Sequence, residues 1–143
     1  MSQERSLTDI GPDKSLLLVD DDEPFLRRLE RAMEKRGFEV EAALSVAAGK
    51  AIATARPPAY AVVDLRLEDG NGLDVVETLR AKRPDARIVV LTGYGAIATA
   101  VAAVKIGATD YLSKPADAND ITAALMADGE EMPPPPANPM SAD

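Results

Sequence analysis

The chain has 143 residues, 46% of them hydrophobic, a formal net charge of −8, and neither cysteine nor histidine. Such a length supports one domain with its own core and leaves little room for a second. The composition excludes disulfides, thiolate or imidazole metal sites, histidine-dependent catalysis and a phosphohistidine on the chain itself, while the acidic balance opposes nucleic-acid binding.

Residues 1–14 read as a disordered polar tail with no signal-peptide run, and no apolar stretch approaches the roughly 20 residues of a membrane span, so a cytoplasmic location is expected. From Ser15, short apolar runs alternate with segments of helical period, the pattern of repeated βα units around a parallel sheet. The first strand is Leu16–Asp20 (LLLVD). Pro24 then suits the first turn of a helix with Leu26, Leu29, Ala32 and Met33 at core-facing spacing and Gly37 at its end. A strand over Phe38–Ala42 follows, then an alanine-rich helix capped by Ser45 and stopped by Pro57-Pro58, then the strand Tyr60–Asp64. Leu73, Val76 and Leu79 give a third helix its apolar stripe. Beyond it come the strand Arg87–Thr92, a helix over Ala96–Ile106 stopped by Gly107, the strand Thr109–Leu112, and a helix capped by Asp117 with Ile121, Ala124 and Leu125 facing inward. In the fourth helix, Ile97, Val101 and Val104 are expected to point in and some alanines out. The first, third and fourth strands are almost continuous Val, Leu and Ile, which places them at the centre of the sheet. The domain covers residues 15–127, and residues 128–143, with their run of four prolines, read as an extended linker with no output domain in the chain.

Sites in open parallel sheets form outside the carboxyl ends of the strands. At those ends stand Asp20-Asp21-Asp22, Asp64 and Thr92, with Lys114-Pro115 following the fifth strand. Two carboxylates about 4 Å apart at an effective dielectric of about 20 repel by roughly 4 kcal/mol, so a cluster of three needs a cation. Oxygen-only ligands suit a hard ion such as Mg2+, which keeps waters and accepts phosphate oxygens. A carboxylate nucleophile, a metal, a lysine and a hydroxyl together are the parts of phosphoryl transfer to an aspartate. Taken alone, an acidic triplet is a solvated turn or a cap, and Asp22 fits the role of cap. Asp64, Thr92 and Lys114 at three further strand ends turn the triplet into a site.

The segments LLLVDDDEPF, YAVVDLRLEDGNGLDVV, VLTGYG and DYLSKPAD resemble the receiver domains of bacterial response regulators, and their wording is similar to the RegA/PrrA/ActR class of redox-responsive two-component regulators. The resemblance implies a flavodoxin-like (βα)5 doubly wound parallel sheet with strand order 2-1-3-4-5. It makes Asp64 the phosphoacceptor, Asp21 a direct ligand of Mg2+, Asp20 a ligand through water, and the backbone carbonyl of Arg66 a further ligand. Thr92 and Lys114 become phosphoryl contacts, Thr92 and Tyr111 the switch pair, and Lys114-Pro115 a peptide bond usually cis. Many receivers carry proline where this chain has Glu68, which leaves the path of the loop after Asp64 open.

The same resemblance implies a sensor histidine kinase as phosphodonor, docking near helix one. There Arg27, Arg28 and Arg31 otherwise read as a solvated face paired with Glu30 and Glu34. Helix four, strand five and helix five would form the output face, with a phosphorylation-dependent dimer or interdomain contact through helix four. DNA would be reached only through a C-terminal helix-turn-helix domain outside this chain. The domain would catalyse only its own phosphotransfer and autodephosphorylation. Two alternatives stay open: a receiver-like interaction module without phosphoryl turnover, and a phosphohydrolase of the haloacid dehalogenase type, whose second acid would fall where this chain has Arg66. A flavodoxin-like cofactor binder is excluded, because three aspartates after strand one would repel its phosphate.

Overall fold

The computed structural model describes residues 12–93 and 97–127. Five parallel strands form one sheet: β1 (Ser15–Val19), β2 (Glu39–Ala43), β3 (Tyr60–Asp64), β4 (Arg87–Thr92) and β5 (Asp110–Ser113), in the order β2-β1-β3-β4-β5. Five helices connect and follow them: α1 (Glu23–Lys35), α2 (Val46–Ala55), α3 (Leu73–Lys82), α4 (Ile97–Lys105) and α5 (Ala118–Met126). This is the doubly wound arrangement expected from the sequence, with β1, β2 and β5 each shifted by one residue. The proposed tail and linker fall largely outside the described residues. Immediately ahead of β1 the chain is tied down: Asp13 accepts from the Ser15 amide and hydroxyl and pairs with Arg83, and the Lys14 carbonyl accepts from the Glu39 amide. Among the described residues no helix is long and apolar enough to cross a membrane.

Alternation along the strands explains why β1, β3 and β4 are apolar at nearly every position. Leu17, Val19, Ala61, Val63, Ile88 and Val90 pack on one face of the sheet with Val46 and Ala53 of α2, Val75 and Leu79 of α3, and Ala103 of α4. Leu16, Leu18, Val62, Val89 and Leu91 pack on the other with Leu26, Leu29 and Met33 of α1 and Ile121 and Leu125 of α5. Phe38 and Tyr60 close this second core edge to face at 5.3 Å, a geometry worth about 1 kcal/mol beyond the area it buries.

The caps are those the sequence points to. Asp22 accepts from the Phe25 amide at 3.2 Å, Ser45 from the Ala48 amide at 3.0 Å, and Asp117 forms a reciprocal capping box with Asp120. Gly37, at φ +101°, lets the chain reverse after α1, a left-handed turn that other residues adopt at a cost.

One inward face is not as expected. Ala100 and Ala103 of α4 are fully buried, whereas Val101 and Val104 are 43% and 41% exposed; Ala96 and the Ile97 side chain lie outside the described residues. Alanines at 100 and 103 and valines at 101 and 104 share the same helical spacing one residue apart, so periodicity alone fits either face. Ala103 shares one buried cluster with Ile88 and Val90 of β4, and in a close-packed interior a methyl group lets a helix approach a sheet surface more closely than an isopropyl group does.

Candidate functional site

The sheet order reverses between β1 and β3, since β2 lies on one side of β1 and all later strands lie on the other. Outside the carboxyl ends of those two strands is the crevice that this topology creates. Asp20 and Asp21 leave β1 there, and Asp64 ends β3. Carboxylate oxygens of the three come within 4.8 Å of one another. Asp20 and Asp64 are buried, at 2% and 5% exposure, and Asp21 is half-buried.

Each carboxylate is aimed by the backbone. Asp20 Oδ1 accepts from the Asp22 amide at 2.9 Å, Asp64 Oδ1 from the Arg66 amide at 3.0 Å, and Asp21 Oδ2 from the Glu68 amide at 2.9 Å. Lys114 Nζ, arriving from beyond β5, donates to Asp20 Oδ2 at 3.0 Å and Asp64 Oδ2 at 3.1 Å. Its ammonium also lies 5.0 Å from the centre of the Phe25 ring, within cation–π range. Burial is the chief reason the Asp20 carboxyl is pushed up from its ordinary range, with the repulsion of Asp64 in the same direction; the Asp22 amide and Lys114 oppose it without cancelling it. Burial works against the charge of Lys114, but its hydrogen bonds with Asp20 and Asp64 and their attraction together raise it. One lysine against three acids leaves an excess of negative charge facing outward.

Thr92 ends β4 on the same rim, almost fully buried, with its carbonyl accepting the Lys114 amide at 2.9 Å. The Lys114-Pro115 bond is cis, as in the resemblance. Tyr111 is half-buried and packs against the core beneath α2, α3 and α4. Arg66 is exposed and adjoins the site through its backbone. On α1, Arg27 pairs with Glu30 at 3.1 Å, as expected, and also with Glu23 at 3.3 Å, a partner not anticipated from the sequence. Arg28 and Arg31 are exposed.

The loop after Asp64 forms a short antiparallel ladder, Arg66–Leu67 against Gly70–Asn71, with Glu68 and Asp69 at the turn. It folds back so closely that a Cβ at Gly72 would lie 2.3 Å from the Asp64 carbonyl oxygen. Sequence reasoning finds neither Phe25 nor Asp69, and it gives Gly72 a place in the loop without a role at the site. Only the glycine carried a local signal, because a glycine opening a helix next to a site marks close backbone approach.

The donor set, three carboxylates with no nitrogen or sulfur, fits a hard divalent cation. Comparison with known proteins agrees with this chemistry. The profile of the response regulator receiver domain matches residues 16–126. The chain belongs to this family. Over 135 residues, 94% of the chain and 74% of the relative, the receiver is 84% identical to the photosynthetic apparatus regulatory protein RegA of Rhodovulum sulfidophilum. It is 68% identical over 134 residues, 94% of the chain and 69% of the relative, to the acid tolerance regulatory protein ActR of Rhizobium meliloti. A crystal structure of a response regulator from Burkholderia pseudomallei, with a phosphorylated aspartic acid, a calcium ion and citrate, superposes with a TM-score of 0.75 at 46% identity, covering 79% of this chain and 66% of that one. This receiver is therefore of the RegA/ActR type.

Proposed function

We propose that Asp64 is the phosphoacceptor of this receiver and that Mg2+ is held by Asp20, Asp21, Asp64 and the backbone carbonyl of Arg66. The observation that carries the reading is a lysine bridging two buried carboxylates, with a third acid alongside, in the crevice where the sheet order reverses. An oxygen of Asp64 attacks phosphorus as the P–N bond of a kinase phosphohistidine breaks, and the imidazole leaves with the electron pair. Bound Mg2+ supplies charge neutralisation for the phosphoryl oxygens. Lys114, already on Asp64 Oδ2, pairs with the oxygens of the new acyl phosphate, and the Thr92 hydroxyl donates to another. Movement of Thr92 toward the phosphoryl group is then followed by Tyr111, which makes these two the switch. The receiver acts on its own aspartate alone and releases no product other than phosphate on dephosphorylation.

The donor is a sensor histidine kinase. The groove of about 510 Å3 between α1 and the β5–α5 connection, lined in part by Phe25, Arg28, Leu29, Pro115 and Ala116, is its docking surface, with the exposed Arg27 and Arg31 on the same helix. The outward Val101 and Val104 give α4 an apolar face for a phosphorylation-dependent dimer or interdomain contact. The names of the relatives, regulators of the photosynthetic apparatus and of acid tolerance, fit a cytoplasmic transcription regulator whose DNA contacts lie in a domain beyond the proline-rich segment. The test is intact-protein mass after incubation with acetyl phosphate. One phosphoryl adduct is expected with Mg2+, and none with chelator or in D64N; an adduct that survives in D64N or in chelator would remove Asp64 or the metal from the mechanism.

A further inference from the structure

The turn that follows Asp64 carries two of the three amides that aim the acidic cluster, those of Arg66 and Glu68. Its ladder has only two residue pairs, Arg66 with Asn71 and Leu67 with Gly70, and a ribbon so short has little stability of its own. Something else must hold it. At the tip of the turn, Asp69 reaches across to another element and accepts from the Val46 amide at 2.8 Å and the Ala47 amide at 3.2 Å.

Those are the first two amides of α2. The third, Ala48, donates to the Ser45 hydroxyl, and the fourth, Gly49, to the Ser45 carbonyl, both at 3.0 Å. Val46, Ala47 and Ala48 are amides that a helix start leaves without an intrahelical partner, and two of these three are taken by a carboxylate from the β3–α3 loop, while the Gly49 bond is the helix's own first. A negative group is favoured at this end by the helix dipole as well as by its hydrogen bonds. Close packing accompanies the bonds: Leu67 is buried in the same core as Val46, and a Cβ at Gly70 would touch Val46 at 3.5 Å.

We propose that Asp69 is a positioning residue for the acidic site, anchoring the Arg66–Asn71 turn to the N-terminus of α2 so that the Arg66 and Glu68 backbone stays in register with Asp64 and Asp21. The inference rests on the phosphoacceptor reading above. Asp69 touches neither metal nor phosphate; it acts through the turn. Removing it leaves the fold nearly intact, because Ser45 still caps α2, but frees the backbone that orients two of the metal-binding carboxylates. Partners that orient ligating groups affect metal affinity out of proportion to stability.

The experiment uses the full 143-residue chain and compares D69A with S45A, which weakens the same helix start without touching the turn. Mg2+ affinity is measured by titration calorimetry, phosphorylation by the rate of adduct formation with acetyl phosphate, and stability by thermal unfolding. D69A should raise the Mg2+ dissociation constant about 3- to 10-fold and slow phosphorylation in parallel, since outer-shell losses run to about 10–100-fold when the partner contacts the ligand directly. S45A should lower Tm yet keep wild-type Mg2+ affinity. D69N, which retains one acceptor oxygen, should fall between wild type and D69A, and it replaces D69A if that variant does not fold. Wild-type affinity in the Asp69 variants, or an equal loss in S45A, overturns the tether. A wild-type chain that binds no Mg2+ overturns the underlying phosphoacceptor reading instead, so the two failures are distinguishable.

Discussion

Asn in place of Asp20 (D20N) keeps the shape of the side chain and removes one of three charges whose oxygens lie within 4.8 Å of one another. At that separation and an effective dielectric of about 20, each pair of carboxylates repels by roughly 3.5 kcal/mol. Lys114, at 3.0 Å from Asp20 and 3.1 Å from Asp64, returns roughly 5 kcal/mol per contact on the same basis. The substitution deletes two repulsions against one attraction, and also removes the cost of holding a carboxylate at 2% exposure. After relaxation and solvent access are allowed for, the surplus should leave D20N more stable than wild type by about 1–2 kcal/mol without divalent ions, or about 3–8 °C in Tm. Burial foremost raises the Asp20 carboxyl above its ordinary 3.8. Its stabilising, protonated form is therefore fully present below pH 3.8 and is lost as pH rises through the raised value, so the advantage of D20N should be larger at pH 7 than in acid. Thermal unfolding followed by circular dichroism, in chelator at pH 7 and pH 3.5, measures both effects. Adding Mg2+ at pH 7 should raise the Tm of wild type but not that of D20N. A D20N protein less stable than wild type in chelator at pH 7 would refute the reasoning, showing that the lysine bridge outweighs the repulsion.

Two further substitutions test the packing around the site. G72A places a methyl group 2.3 Å from the Asp64 carbonyl oxygen and 2.9 Å from Val63 Cγ1, an overpacking that should cost about 2–3 kcal/mol and slow phosphorylation by displacing Asp64; a Tm within 2 °C of wild type, roughly half a kcal/mol, would contradict the close approach. V101E changes a side chain that is 43% exposed, so stability should move by no more than about 0.5 kcal/mol. Sedimentation of the phosphorylated protein should then show any phosphorylation-linked association lost, and unchanged association would remove α4 from that contact.

The parts legible in the sequence were those that backbone periodicity and strand ends determine. A strand buried on both faces must be apolar throughout, which marked β1, β3 and β4; the rule that sites gather outside carboxyl ends then singled out Asp20, Asp21, Asp64, Thr92 and Lys114 before any contact was known. Orientation about a helix axis was less legible. On α4 the alanine and valine stripes have one spacing, and the choice between them is made by close packing against Ile88 and Val90, a contact that no window of sequence contains.

Asp69 shows a different limit. Within its own segment, LEDGNG, it reads as an ordinary turn residue, the role to which aspartate is suited by its short acceptor side chain. Its partners, Val46 and Ala47, sit in another βα unit and offer only backbone amides, which leave no trace in residue identity. Side chains that gather at the rim announce themselves, because charge brought together in a low-dielectric crevice demands a specific counterpart in the sequence, here Lys114. A carboxylate that serves a helix start demands none, since every helix supplies the same amides. The residues that gather at the acidic rim are therefore readable from type and position, whereas a residue such as Asp69, bound to the backbone of another unit, is readable only once two loops are seen side by side.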